Sequence, residues 1–549
     1  MQSQIAPYTN WSSEQFIARI SDLESQLKSQ NIQEAPPQAE QRRRRKPNQF
    51  DPSRYNTRFI ALKLAYLGRH LNGYEAPGDT IPPAPTVEEE LWKALMKTRL
   101  IFPRIKRKGR KTRDIYWEGC DYSKCGRTDK GVSSFGQVIG IRVRSNKPLP
   151  KTSQPQNNTA SKTSDMDAAE ASERTVEGIA DPVDVEEEET PFDPIKDEIP
   201  YIHLLNQLLP PEIRILAWCP SPPPGFSARF SCRERRYKYF FTQPAYLPIP
   251  GAQGSRAGEN GGSWLDIDKM KEAASYFLGN HDFRNFAKMD ATRQLTNFER
   301  VIFHTDIEEI ASLDDPAFLS AEAVSGSAGS DGNSSPKPKV YAFVVHGSAF
   351  LYNQVRHMAA ILFLVGQGLE KPTIVKELLD VRKNPRRPNY EIASDSPLVL
   401  WDCVFPGENS EKREDALDWV YPDDPSNVAK AKTSAHGGKW GLNGLVDVMW
   451  STWRSRKIDE VHAAQLMQVT AMRGRGLAPP SEEGRKSSQK RSIKVFDGGN
   501  VTKPRGVYTP VMKLELLETP DVINAKWAAK KGITPLELPR EGPLGDSDE

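Results

Sequence analysis

Residues 125–132, which read CGRTDKGV, hold one carboxylate in a setting suited to chemistry. Asp129 lies close to two cations, Arg127 and Lys130, and between two glycines, which predicts a tight turn. The cations favour the ionised carboxylate and are expected to lower its pKa. An ionised carboxylate can act as a nucleophile or a general base. The same residues also fit an ordinary turn whose aspartate pairs with an arginine, and local chemistry alone favours that structural interpretation.

Two further side chains are candidates for chemistry. Tyr237 lies on a predicted strand, residues 235–241, and shares one face of it with Tyr239 and Phe241. That pattern is typical of core aromatics in a strand. Arg356 begins an otherwise apolar predicted helix. It either reaches solvent or pairs with a buried anion, and its apolar surroundings favour the buried partner.

The five cysteines predict free thiols and no metal site. Cysteines 120, 125, 219, 232 and 403 form no CxxC pair, and a sparse, odd set is typical of a reducing compartment. Cys120 and Cys125 are close in sequence, but no second pair with histidines follows them. The motifs GxxxxGK[ST], GxSxG and HExxH are also missing from the sequence.

The net charge of +3 conceals an uneven distribution. Residues 163–199 contain 14 acidic and two basic side chains, so the rest of the chain carries a net +15. A body this basic suits a polyanion, because lysine and arginine release counterions when they bind phosphates. A merely soluble basic surface would have the same composition. Charge alone does not separate the two interpretations.

The elements that position these residues fall into two segments, 54–147 and 199–408. In the first, an apolar strand over 58–66, a helix opened by a capping box at Thr86, and an alternating strand over 139–143 surround the CGRTDKGV loop. The second repeats strands and amphipathic helices, including a helix over 267–277. This order predicts an α+β fold with antiparallel or mixed sheets, in two halves around a cleft.

The remaining segments are predicted to be peripheral. Residues 148–198 are an acidic insertion and 312–338 a polar one, and the first has too few apolar groups to order itself. Residues 1–50 are a flexible extension with a short helix, capped by Ser12 and Gln15, and a basic run at 42–46 that fits nuclear import, RNA contact or a solvated linker. Residues 409–549 form a partly helical, partly disordered extension. The sequence has no run of about 18 apolar residues and no basic start followed by an apolar stretch, so neither a membrane span nor a secretory signal is expected.

Four motifs in order resemble the TruA family of tRNA pseudouridine synthases. GRTDKGV with FGQV at 135–138 resembles the family's signature loop, and FSARFS at 226–231 with RRYKY at 235–239 resembles its second motif. FLYNQVR at 350–356 with VGQG at 365–368 resembles the third, and SPLVL at 396–400 the closing segment. The resemblance covers about residues 59–405. HDFRNFAKMD at 281–290 is similar to the eukaryotic branch, whose members modify uridines 38 and 39 of the anticodon stem.

One stretch departs from the family pattern. The first strand usually leads into Tyr-x-Gly-x-x-Tyr-x-Gly-aromatic, and residues 66–74, YLGRHLNGY, keep this only in part. Fine RNA contacts are more affected by this departure than the chemistry.

The resemblance implies roles for four residues. Asp129 would be the carboxylate that cleaves the glycosidic bond, and Arg127 would fill the gap left by the flipped uridine. Tyr237 would pack on the flipped uracil and help to remove the C5 proton. Arg356 would pair with the Asp129 carboxylate.

The resemblance also implies a setting for the reaction. It implies two ferredoxin-like, RRM-like halves around a basic RNA-binding cleft, tRNA as the partner, a homodimer, and a location in nucleus and cytoplasm. Isomerisation needs no cofactor, and none is expected. Two alternatives stay open: the same chemistry at other tRNA or small-RNA positions, and a catalytically inactive tRNA-binding chaperone.

Overall fold

The protein is described by a computed structural model that covers residues 12–33, 50–77, 82–103, 115–149, 191–246, 264–310, 339–407, 413–422 with 424, 444–472, 493–500, 503–505 and 507–532. The basic run at 42–46, the polar insertion at 312–338 and most of the acidic insertion at 148–198 lie outside the described residues. The last residues assigned to the acidic insertion, 191–198, are described and folded. Glu198 is buried and accepts hydrogen bonds from Ser145 Oγ (2.6 Å) and the Asn146 N–H (2.8 Å). The folded chain therefore resumes before residue 199.

The first compact unit of the chain, residues 1–54, contains the predicted N-terminal helix. Helix α1 spans Ser13–Gln33. Its capping box is formed as predicted, with the Ser12 N–H donating to Gln15 Oε1 (2.9 Å) and the Gln15 N–H to Ser12 Oγ (3.4 Å). Phe16, Ile17 and Ile20 are exposed on it.

The second unit, residues 55–549, contains an open sheet of nine strands and several helices. Its elements in chain order are β1 (Asn56–Tyr66), α2 (Val87–Lys97), β2 (Ser123–Lys124), β3 (Ser133–Ser145), α3 (Tyr201–Asn206), β4 (Ile213–Cys219), β5 (Glu234–Gln243), α4 (Ile267–Ser275), β6 (Gly279–Asp282), β7 (Glu299–Glu309), β8 (Lys339–Gly347), α5 (Gln354–Gly366), α6 (Ile374–Leu379), β9 (Leu398–Val404), α7 (Leu445–Met472), β10 (Ile493–Val495), β11 (Lys503–Arg505) and α8 (Pro520–Lys531). Strands β10 and β11 form a separate small ladder.

The order of the main sheet is β4-β1-β3-β9-β5-β8-β7-β6, with β2 paired to β3. Every pairing is antiparallel except β3 with β9, which is parallel and short, joining Ser133 to Val399 and Ser134 to Leu400. The predicted α+β class with a mixed sheet is confirmed. The parallel pair divides this sheet into β4-β1-β3 on one side and β9-β5-β8-β7-β6 on the other.

Alternation of apolar and polar residues builds a hydrophobic cluster on each side. The first cluster packs β1, β3 and β4 on α2, whose residues Leu91 and Leu95 are fully buried. Thr86 caps α2 as predicted, its hydroxyl accepting from the Glu89 N–H at 3.2 Å. The second cluster packs β5, β7 and β8 on α4, α5 and α6. A third, smaller group, the seam cluster, lies between them and includes Val138, Leu400 and Phe405.

Part of the C-terminal extension is built into the second cluster. The Phe496 N–H donates to Gln367 Oε1 (2.8 Å), and Gln367 Nε2 donates back to the Phe496 carbonyl (3.2 Å). The Ser394 N–H donates to the Asp497 carbonyl at 2.8 Å. Residues 493–500 therefore support the chain just before β9. Among the described helices, none is both long and apolar enough to cross a membrane.

Candidate active site

The loop that carries Asp129 connects β2 to β3 and is a tight turn, as predicted. The Val132 N–H donates to the Asp129 carbonyl (3.2 Å), and Gly131 has a φ of +81°, which glycine adopts without strain. Val132 itself is buried in the second cluster, although the loop begins in the first half of the sheet. The loop is thus fixed from both sides.

Residues 66–74 support this loop from the first half. Tyr66 Oη and Thr128 Oγ1 share a buried hydrogen bond of 2.7 Å. The Tyr74 N–H donates to the Thr128 carbonyl at 3.0 Å. A Cβ on Gly68 would lie 2.0 Å from the Val132 carbonyl oxygen, so the loop backbone packs directly on that glycine. These contacts make residues 66–74 a cradle for the catalytic loop.

Sequence reasoning assigned no site role to the cradle. The signal was present in the partial Tyr-x-Gly-x-x-Tyr-x-Gly-aromatic pattern, whose retained members are Tyr66, Gly68, Gly73 and Tyr74. The member that departs is Leu71, and it contributes only its backbone carbonyl, which accepts from the Gly131 N–H at 3.3 Å. The departure therefore leaves the support of Asp129 intact.

The parallel pairing of β3 with β9 brings a second carboxylate to the loop. Because the strands are parallel, the segments that precede them emerge at the same edge of the sheet. A Cβ on Gly131 would lie 2.8 Å from Asp395 Cγ, so the Asp395 carboxyl packs against the catalytic loop. Tyr239 Oη donates to the Ser394 carbonyl (2.9 Å) and fixes this segment. Asp395 was not predicted as a site residue.

Arg356 lies in the first turn of α5, as predicted. Its Nε donates to the Ala393 carbonyl (2.8 Å) and its Nη1 to Asn353 Oδ1 (3.0 Å). It is the cation that acts most strongly on Asp129. The ion pairs of the described residues include no Asp129–Arg356 pair, however, so direct contact between the two charges stays a prediction.

The electrostatics of Asp129 differ from the local expectation. Burial raises the pKa of Asp129 above its usual value, and this outweighs the cations. Arg356, Arg293 and Lys288 lower the pKa, while Asp395 raises it. The expected net lowering of the Asp129 pKa was wrong, because burial outweighs the cations, and the cations that act most on the carboxylate come from distant parts of the chain.

Arg127, two residues before Asp129 in the loop between β2 and β3, is exposed. Its Nε is 3.4 Å from Glu75 Oε1. An exposed ion pair of this kind contributes about 1 kcal/mol at most, so the guanidinium can leave Glu75 at little cost. This fits a side chain that moves into a nucleic acid stack.

Tyr237 differs from the two aromatics that follow it on β5. Tyr239 and Phe241 are buried in the second cluster, whereas Tyr237 is half-buried and touches both the second and the seam clusters. Its ring meets Phe350 edge-on, with centroids 5.0 Å apart. Burial raises the pKa of Tyr237, so its hydroxyl remains protonated at neutral pH. The core interpretation holds for the other two aromatics rather than for this one.

A basic rim that sequence reasoning did not assign adjoins Asp129. The Lys288 N–H donates to the Tyr352 carbonyl (3.0 Å), and Lys288 Nζ lies 5.5 Å from the centroid of the Tyr352 ring. The Arg293 guanidinium lies 6.0 Å from the same ring, which is exposed. Cations around an exposed aromatic ring suit phosphate and base contacts of a single strand. The signal was the motif at 281–290, which was read only as a family resemblance.

The five cysteines are free thiols, as predicted, and three of them that are distant in sequence come together. Cys120 belongs to the first cluster, whereas Cys125 lies in the seam cluster with Cys232 and Cys403. The Sγ atoms of those three buried residues all lie within 4.8 Å of one another. They are the group of the described residues with the chemistry to hold a soft metal ion.

Together these features define a class of protein. A half-buried carboxylate on a loop held by both halves of the sheet adjoins an exposed arginine, aromatic rings and a rim of cations. Such a site suits chemistry on a base that has been turned out of a nucleic acid strand. The fold and site therefore indicate a nucleic-acid-modifying enzyme.

Comparison with known proteins identifies the family within this class. A family model described as tRNA pseudouridine synthase matches residues 273–406. The tRNA pseudouridine(38/39) synthase of Saccharomyces cerevisiae is 38% identical over 427 residues, which cover 76% of this chain and 73% of that protein. The enzyme of the same name from Mus musculus is 37% identical over 420 residues, covering 75% and 69%. A tRNA pseudouridine synthase A from Delftia acidovorans is 27% identical over 253 residues, covering 45% and 83%. The chain belongs to the tRNA pseudouridine synthase family.

The cradle can be tested at Gly73, which has a φ of +82°. A Cβ there would lie 2.8 Å from the Thr128 carbonyl oxygen, so Gly73→Ala must displace the Asp129 loop. Misplacement of a catalytic group by about 1 Å can cost about 100-fold in rate. We expect kcat, measured as the release of tritium from tRNA labelled at uracil C5, to fall at least about tenfold. The matched control is Gly119→Ala, with a φ of +84° but nothing within 4 Å of the added Cβ. Both variants have the same backbone strain, so an equal loss of kcat would contradict the cradle.

The charges around Asp129 predict opposite shifts in the pH dependence of the reaction. With Asp129 acting as an ionised catalytic carboxylate, we expect kcat/KM to fall as the pH drops through the pKa of Asp129. Asp395 raises that pKa, so Asp395→Asn should move the acid limb to lower pH. Arg293 lowers it, so Arg293→Gln should move the limb to higher pH. The measurement is the pH profile of kcat/KM on a tRNA transcript. If the acid limbs of the two variants moved in the same direction, this electrostatic account would be excluded.

Proposed function

We propose that this protein is a tRNA pseudouridine synthase that isomerises uridine to pseudouridine at positions 38 and 39 of the anticodon stem-loop. The observation that carries the proposal is Asp129, half-buried on a loop held by both halves of the sheet. The names of the relatives from yeast and mouse, which match most of this chain, support the positions.

The reaction rearranges one nucleoside and is balanced without an external reactant. The bond from uracil N1 to the ribose C1′ breaks, a bond from C5 to C1′ forms, and the hydrogen on C5 is lost while N1 gains one. There is no net oxidation, so the chemistry needs a positioned group rather than a redox carrier. Asp129 in its ionised form is that group, as the nucleophile or base that initiates cleavage of the glycosidic bond.

The target base must leave its stack before Asp129 can reach it. Arg127 is exposed and pairs with Glu75 at 3.4 Å, and its planar guanidinium suits entry into the gap and stacking there. Tyr237, half-buried beside the catalytic loop and Phe350, offers its ring to the flipped uracil. Because the Tyr237 hydroxyl stays protonated, it accepts the C5 proton only if it passes its own proton to another group.

The basic rim supplies contacts with the RNA backbone. Lys288 and Arg293 flank Tyr352 and act electrostatically on Asp129. They perform two tasks with the same charges: they attract the phosphates next to the target nucleotide, and they offset part of the cost of ionising a buried carboxylate. The net +15 of the chain outside residues 163–199 adds to the attraction for tRNA.

Two experiments distinguish the proposed function from its alternatives. Asp129→Asn removes the ionisable group without changing its size, and we expect no pseudouridine in an unmodified tRNA transcript after times at which the wild-type protein converts all of it. Asp268→Asn is the matched control, the same exchange at an exposed position in the first turn of α4, and it should leave the rate unchanged. Product at the wild-type rate from Asp129→Asn would reject the catalytic assignment and favour a tRNA-binding chaperone.

The positions are tested by mapping pseudouridine in tRNA from cells that lack the protein. We expect positions 38 and 39 to be unmodified there and to be restored by the wild-type gene but not by Asp129→Asn. Normal modification at 38 and 39, with loss at other tRNA or small-RNA positions, would transfer the proposal to the same chemistry on another substrate.

The proposal includes the architecture of the protein. Two hydrophobic clusters on either side of the parallel seam support two ferredoxin-like halves around an RNA-binding cleft, which superposition of β1–β4 on β5–β8 would test.

Assembly and location are also part of the proposal. Exposed apolar side chains on α7, such as Val461 and Leu466, support a homodimer, and sedimentation equilibrium would measure its formation. The basic run at 42–46 supports a location in nucleus and cytoplasm, and imaging a tagged chain with that run replaced by glutamine would show whether nuclear signal depends on it.

A further inference from the structure

Three buried thiols meet beneath the catalytic loop. Cys125 lies at the start of that loop, Cys232 just before β5, and Cys403 on β9. Their Sγ atoms lie within 4.8 Å of one another, and the residues are 5%, 6% and 0% exposed. Three of the five cysteines in 549 residues thus converge from segments more than 100 positions apart in sequence.

A cation adjoins the thiols without a carboxylate to balance it. Arg235 is half-buried and donates to three backbone carbonyls: Cys125 (3.2 Å), Arg229 (3.0 Å) and Ser348 (2.9 Å). No ion pair to an aspartate or glutamate is formed by Arg235 within the described part of the chain. A guanidinium taken out of water is costly unless an anion lies nearby. Among the described residues, the groups beside it that can become anions are the three thiols and the Tyr237 hydroxyl, and the thiols ionise more readily.

We propose that Cys125, Cys232 and Cys403 bind one Zn²⁺ as thiolates. Thiolates are preferred ligands of zinc, and three protein ligands leave the fourth tetrahedral position to water. With a Zn–S distance of about 2.3 Å the sulfurs of a tetrahedral site lie about 3.8 Å apart, so shifts of about 1 Å or less convert the present arrangement into a site.

The charges of the proposed zinc site and of Arg235 balance. Three thiolates and one Zn²⁺ carry a net charge of −1, and the Arg235 guanidinium beside them carries +1. A monovalent soft ion such as Cu⁺ would leave −2 against the same arginine. The arrangement therefore favours zinc, although the thiolates alone suit either metal.

The zinc would join the segments that carry Asp129 and Tyr237. Cys125 is four residues before Asp129, and Cys232 is five residues before Tyr237. Cys403 belongs to β9, the strand that pairs with both β3 and β5. One ion would therefore fix the catalytic loop to the strand that carries Tyr237. This task does not depend on the substrate, so its test stands apart from the proposed activity.

The test measures metal on the full chain, purified without a polyhistidine tag from cells grown with added zinc and copper. We expect elemental analysis to give about one zinc and no copper per wild-type chain. Cys232→Ala and Cys403→Ala should each retain less than about a tenth of that zinc. Cys120→Ala and Cys219→Ala, which alter buried free thiols outside the group, should retain all of it.

A second measurement covers variants that fail to fold. Wild-type protein stripped of metal and titrated with Co²⁺ should develop a thiolate-to-cobalt absorption band that saturates at one ion per chain and is displaced by Zn²⁺. Absence of both the zinc and the cobalt band would overturn the proposal. So would copper in place of zinc, a disulfide among the three cysteines in the non-reduced mass spectrum, or equal zinc loss in the two control variants.

Discussion

The site depends on one short contact, the parallel pairing of β3 with β9. It joins Ser133 to Val399 and Ser134 to Leu400, and the Ser134 hydroxyl adds a bond to the Leu400 carbonyl at 3.0 Å. All other pairings in the main sheet are antiparallel. A parallel pair places the segments before both strands at one edge, and those segments carry Asp129 and Asp395. Without this contact the two halves of the sheet would contribute to separate surfaces.

This arrangement explains how a half-buried carboxylate can still ionise. Burial on the loop disfavours ionisation of Asp129, and the loop's own cations do not offset it. The offset comes from Arg356, Arg293 and Lys288, all of which belong to the second half. A fragment with the first half alone would hold the signature loop but not the charges that tune it. The joined sheet therefore produces the surroundings of Asp129, and Val132, buried in the second cluster, connects the two parts.

Local patterns predicted what local interactions decide. The capping box at Ser12, the N-cap at Thr86 and the alternation of β3 depend on neighbours within four residues, and the structure has all of them. The pKa of Asp129 was predicted in the wrong direction, because burial and distant charges decide it. The sequence shows five scattered cysteines, and only the fold brings three of them together. Asp395 and Arg293 were missed for the same reason, because each becomes a neighbour of Asp129 only when the two halves of the sheet join.

The stretch after β1 shows how an incomplete motif can preserve a function. The retained positions act through atoms that cannot be exchanged: the Tyr66 hydroxyl bonds to Thr128, and Gly68 and Gly73 leave room for the loop backbone. At the altered position, Leu71 supplies a carbonyl, which any residue offers. The importance of a motif position therefore depends on the atoms it contributes, and not on how many residues of the motif are retained. On that measure, the part of this chain that departs from its family supports Asp129 as fully as the complete pattern would.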